Sequence, residues 1–138
     1  IGASYQDLIT ACGGLTDDAA RILSGGPMMG FTLPELDAPI TKGASGITVL
    51  SQAEVRRSAE TSCLRCGRCV DVCPMNLLPT RIALAARANR LDLAQRYSMA
   101  SCMECGCCAY GCPASIPLVQ LIRMGKAALQ KAAARKKK

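Results

Sequence analysis

Eight of the ten cysteines in this 138-residue chain fall into two quartets with one spacing, and thiolates so spaced are ligands for iron-sulfur clusters. The first quartet is Cys63, Cys66, Cys69 and Cys73 in CLRCGRCVDVCP, with Pro74 following directly. The second is Cys102, Cys105, Cys108 and Cys112 in CMECGCCAYGCP, with Pro113 following. Both read C-x2-C-x2-C-x3-C-P, the bacterial pattern for cysteine-ligated 4Fe-4S centres. Three cysteines at three-residue intervals let one tight turn wrap three corners of a cuboidal cluster, its amide N–H groups facing the anionic sulfur. The proline after the fourth cysteine fixes its own φ and drives the preceding residue towards extended backbone, so the chain leaves the turn there. In two-cluster ferredoxins that fourth cysteine ligates the other cluster. The expected ligand sets are therefore crossed: Cys63, Cys66, Cys69 and Cys112 for one centre, and Cys102, Cys105, Cys108 and Cys73 for the other.

Two cysteines stand outside this scheme. Cys107 adjoins Cys108, but only Cys108 preserves the spacing, so Cys107 is left unligated. Cys12 is expected to be a small buried hydrophobe. Two other uses of cysteine compete with this one. Zinc sites pair two C-x2-C knuckles rather than a triple run ending in C-P, and a disulfide scaffold would leave the metal-site spacing of eight cysteines unexplained. The spacing thus places the chain in a reducing compartment. The chain has no histidine and no constellation of nucleophile and base, so no catalytic residue is assigned.

Apolar residues make up 50% of the chain and aromatic ones only 3%, so the core must be built from aliphatic side chains. If iron and sulfide supply part of that interior, cluster binding is linked to folding. The formal charge of +7 counts every thiol as neutral. Two assembled centres, each with four thiolates against a core of about two positive charges, leave only about +3. Much of the remaining excess crowds the C-terminus, at Lys131, Arg135, Lys136, Lys137 and Lys138, and reads first as a solvated tail and only second as a docking site for an acidic partner or anionic lipid. No aromatic stacking surface accompanies it, which argues against nucleic acid. No run of about 18 apolar residues exists to span a bilayer. The opening at Ile1 leads us to expect a piece of a longer protein.

Around the quartets the sequence predicts two domains, a small α+β segment over 1–50 and a mainly α domain over 51–138. Ser4 with Asp7 forms a helix N-cap, Leu8, Ile9 and Ala11 continue the helix, and Gly13 ends it. SGGPMMG (24–30) is a structural turn rather than a phosphate cradle, and Ile47–Leu50 is a short strand. Ser51 with Glu54 predicts a polar helix reaching about Glu60, with Arg56 and Arg57 solvated or offsetting cluster charge. Between the quartets, Pro79 starts a helix with Leu78, Ile82, Ala85 and Ala86 on one apolar face, and a second helix carries Leu93 and Tyr97 after Asn89. Helices here, where compact ferredoxins use hairpins, predict an α-helical ferredoxin. PASIPL after Cys112 echoes PMNLLP after Cys73, so the repeat extends beyond the ligands. Pro117 starts the last helix, with Leu118, Leu121, Ile122 and Leu129 inward and Arg123 and Lys126 towards water.

The segments ACGGLTDDAARILSGGPMMG, PITKGASGITVL, SCLRCGRCVDVCPMNLLPT and CMECGCCAYGCPASIPLVQLIR together resemble one family closely, the C subunit of the Rnf/Rsx electron-transport complex. The same combination of motifs also resembles the related cobalamin-reductase subunit of propanediol-utilisation bodies. The resemblance implies that residues 1 to about 50 belong to a β-grasp unit of the soluble-ligand-binding type. It implies a flavin mononucleotide and an NADH site in a domain N-terminal to anything present here. It implies partners in a membrane-bound complex on the cytoplasmic face of the bacterial membrane, which couples electron transfer between ferredoxin and NAD to sodium or proton movement. The eight quartet cysteines match the family's cluster ligands one by one. The expected function is an electron relay within an ion-translocating oxidoreductase, the alternatives being electron supply to a corrin or a structural zinc module.

Overall fold

A computed structural model of the chain describes residues 1–55 and 58–136, with the side chain of Lys136 excepted. The chain divides into two compact units, Ile1–Arg57 and Ser58–Lys138.

In the first unit, helix α1 (Tyr5–Ala11) is capped as the sequence predicts. Ser4 Oγ accepts from Asp7 N–H at 3.0 Å, and Asp7 Oδ2 accepts from Ser4 N–H at 3.1 Å. Strands β1 (Ala19–Ser24), β2 (Phe31–Thr32) and β3 (Ile47–Ser51) form an antiparallel sheet in the order β2-β1-β3. Leu23 pairs with Thr32 on one side and Thr48 on the other. The glycine-rich turn joins β1 to β2, and its last glycine is sterically required. A Cβ on Gly30 would meet the Gly26 carbonyl oxygen at 2.5 Å. Tyr5, Ile9 and Leu23 form the small buried core, and a 2.7 Å hydrogen bond between Tyr5 Oη and Ser24 Oγ ties α1 to the end of β1.

Two expectations fail in this unit. Cys12 caps the C-terminal end of α1 and is exposed, because that short helix turns only Tyr5 and Ile9 inward. The predicted polar helix after Ser51 does not form in the described residues. Glu54 does return to Ser51, its Oε2 accepting from both N–H and Oγ–H at 2.9 Å, but this closes a single turn at the end of β3. A capping box favours a helix only when an apolar face is available to pack. Residues 58–60 are irregular, and Arg56 and Arg57 lie outside the described residues.

The second unit is built of helices. One-turn helices α2 (Arg68–Asp71) and α5 (Cys107–Tyr110) carry the two cysteine loops, and α3 (Pro79–Arg87), α4 (Leu91–Arg96) and α6 (Leu118–Lys136) pack around them. Pro79 occupies the first turn of α3 as expected, and Asn89, at φ +54°, redirects the chain into α4. Leu78 does not join the inner face of α3. Its backbone is non-helical, its side chain is exposed, and Ala83 is buried instead, beside Ile82 and Ala85. Ile82, Met99, Leu118 and Ile122 are the largest fully buried side chains, each contributing about 2 kcal/mol by leaving water.

Gly125 on α6 lies against α3, where an added Cβ would stand 2.8 Å from both Ala86 Cβ and Met99 Sδ. Gly125→Val is expected to cost about 3 kcal/mol by overpacking, read as a lowered denaturation midpoint at unchanged slope. Among the described residues no helix is long and apolar enough to cross a membrane.

Candidate metal centre

The two cysteine loops share one backbone trace. Gly67 and Gly106 stand at the starts of α2 and α5 at φ +80° and +89°, a conformation glycine adopts without steric cost. Four non-glycine residues repeat the same left-handed geometry in pairs, Arg65 with Glu104 and Asn76 with Ser115. These turns aim backbone N–H groups at sulfur. Arg65 N–H donates to Cys63 Sγ and Glu104 N–H to Cys102 Sγ, each at 3.4 Å, and Leu77 N–H donates to Cys73 Sγ at 3.4 Å.

The loops also exchange partners. The segment entering the first quartet runs beside the segment leaving the second, with Thr61 N–H donating to the Ala114 carbonyl at 3.0 Å and the Ser58 and Ser115 hydroxyls 2.7 Å apart. This brings Cys63 to the side on which Cys112 lies. A cavity of about 550 Å³ is lined by Cys63, Cys66, Cys69 and Cys112. A much smaller hollow of about 20 Å³ is lined by Cys102, Cys105, Cys108 and Cys73. Each hollow thus takes three cysteines from one quartet and the fourth from the other. Cys107 lines neither, and the neighbouring Cys105 thiol pushes its own thiol pKa up.

None of the ten cysteines forms a disulfide. Among the described residues no group of three or more Cys, Asp or Glu side chains is arranged to hold a single metal ion. What the quartets do is line hollows with soft sulfur donors and flanking N–H groups. That donor set fits a polynuclear iron-sulfur group, which meets each thiolate at a different corner. Burial pushes the Cys108 thiol up to about 12, with Cys102, Cys105 and Cys69 adding to it.

Side chains beyond the cysteines complete the site, and the sequence alone does not mark them for these roles. Thr80, on the first turn of α3, places Oγ1 2.9 Å from Cys69 Sγ; the adjoining Pro79 was the available signal. Arg123 and Lys126 were expected in water, yet both turn inward. Arg123 Nε donates to Glu104 Oε2 at 2.9 Å, while Lys126 Nζ donates to Glu104 Oε1 at 2.8 Å and to the Cys102 carbonyl at 2.5 Å. Partial burial alone would raise the Glu104 carboxyl, but the two cations outweigh it and hold its pKa below the usual value. The last helix is thereby clamped to the second cysteine loop.

Comparison with known proteins gives this geometry a family. Residues 62–116 match the 4Fe-4S dicluster domain, and residues 1–32 match the SLBB domain. The chain is 46% identical over 138 residues to the C subunit of the proton-translocating ferredoxin:NAD(+) oxidoreductase complex of Clostridium ljungdahlii, a match spanning 99% of this chain and 30% of that protein. It is 48% identical over 125 residues to the C subunit of the ion-translocating oxidoreductase complex of Methanosarcina acetivorans, spanning 91% and 28%. To the C subunit of the Na(+)-translocating ferredoxin:NAD(+) oxidoreductase complex of Acetobacterium woodii it is 44% identical over 126 residues, spanning 91% and 28%. The chain therefore spans under a third of the length of these relatives. Over nearly its whole length the chain is thus similar to a segment of the C subunits of ion-translocating oxidoreductase complexes, and it bears a 4Fe-4S dicluster domain.

Proposed function

We propose that this chain is an electron-relay segment holding two 4Fe-4S clusters in crossed ligation, one on Cys63, Cys66, Cys69 and Cys112 and the other on Cys102, Cys105, Cys108 and Cys73. The single observation behind this reading is that each cysteine-lined hollow draws its fourth cysteine from the other quartet. When bound, such clusters accept and give up single electrons with no bond to carbon made or broken. The residues around them bind and orient. The cysteines supply thiolates, the N–H groups of Arg65, Leu77 and Glu104 and the hydroxyl of Thr80 donate towards sulfur charge, and α6 holds the second loop in place.

In the whole protein the relay connects a flavin mononucleotide and NADH site, carried outside these residues, to membrane subunits of a complex that couples ferredoxin and NAD oxidoreduction to ion movement. The names of the relatives support the ferredoxin:NAD and ion-translocating part of that setting, and the absence of a membrane-crossing helix among the described residues is consistent with the peripheral attachment at the cytoplasmic face that we propose. The second unit is then an α-helical ferredoxin, and the first belongs to a β-grasp unit.

Iron analysis with electron paramagnetic resonance of the dithionite-reduced chain tests the relay. About eight irons and two interacting cubane signals are expected. A colourless protein with bound zinc and no one-electron couple would defeat the proposal. Cys107→Ala is expected to keep the full iron content, and a loss of about half the iron would show that the second quartet is read in the wrong register.

A further inference from the structure

Arg65 and Glu104 occupy equivalent places in the two cysteine loops. Each stands two residues after the leading cysteine, at φ +53° and +60°, and each donates its N–H to that cysteine's Sγ at 3.4 Å. Their backbones match and their charges are opposite. Arg65 and Arg81 both line the larger cavity, and neither takes part in an ion pair among the described residues. The nearby Arg68 and Asp71 of α2 oppose each other in charge. At the smaller hollow the charged lining residue is Glu104, which binds Lys126 and Arg123 and so offsets one of them. Exposure differs in the same sense, Cys66 being exposed and Cys108 only 7% exposed.

We propose that this asymmetry gives the two centres different reduction potentials, with the centre at Cys63, Cys66, Cys69 and Cys112 the higher, and that Arg65 and Glu104 are the residues that set the difference. The inference rests on the two-cluster reading above. Adding an electron makes a centre more negative, which neighbouring cations and accessible water stabilise and a carboxylate opposes. One electron passing from the reduced second centre to the oxidised first one then runs downhill, with no proton or leaving group involved. An electron shared by the pair resides mainly on the first centre.

A redox titration followed by electron paramagnetic resonance, on the iron-loaded chain and on Arg65→Gln, Glu104→Gln and the double variant, tests this. The parent is expected to show two separated one-electron couples. Arg65→Gln lowers the upper couple and leaves the lower in place, Glu104→Gln raises the lower, and the double variant brings them together. Arg81→Gln repeats the first test from α3, away from the strained loop, and also lowers the upper couple. If Arg65→Gln and Arg81→Gln move the lower couple instead, or no variant moves either couple at full iron content, the inference is overturned while the two-cluster reading stands. Absence of iron or of any one-electron couple in the parent would overturn both.

Discussion

Cys63→Ala combined with Cys112→Ala is expected to remove about half of the iron, the same half that either substitution removes alone. These two cysteines belong to different quartets but line one cavity. Under crossed ligation the second substitution acts on a centre already lost. Cys63→Ala combined with Cys73→Ala behaves oppositely, since those residues share a quartet but line different hollows, and that double variant is expected to lose nearly all the iron. Ligation of each cluster by its own quartet would exchange the two outcomes. Iron content per chain, checked against the visible absorbance of the cofactor, decides between them.

Removing the iron from the unsubstituted chain is expected to abolish more than half of the far-ultraviolet ellipticity contributed by the second unit. Helices α2 and α5 are single turns, far below the length at which a helix holds itself together in water, and their ends lie at the cysteines. The larger cavity would fill with water, leaving Leu64, Val70, Leu78 and Leu84 exposed around it. The buried cluster of Ile82, Ala94, Met99, Leu118 and Ile122 contains no aromatic side chain and stands alone against the entropy of ordering both loops. Circular dichroism before and after chelation measures this. Undiminished helix content in the iron-free chain would show that the aliphatic core suffices.

Much of the site was legible because its rules are local. The Ser4–Asp7 capping box and the prolines at 79 and 117 act within a few residues of themselves, and the helices they predict are present. What escaped depended on partners distant in sequence. Arg123 and Lys126 repeat at helical spacing on a polar face, so nothing nearby distinguishes them from solvated cations until Glu104 arrives beside them. Ser51 and Glu54 satisfy the same local pattern as Ser4 and Asp7, yet only α1 finds an apolar contact to extend it, through Tyr5 and Ile9. Strand β1 was hidden in the same way, since Ala19–Ser24 becomes a central strand only by pairing with segments on both sides.

The matched turns of the two cysteine loops carry one more implication. Under the crossed ligation proposed above, either half cut at the repeat boundary would keep three donors for one cube and a fourth with no cube to serve. Neither half is chemically self-sufficient, whereas two identical halves could each lend the other what it lacks. Under that ligation the two loops complete one another within a single chain, while the side chains at their matched positions, Arg65 and Glu104, differ in charge.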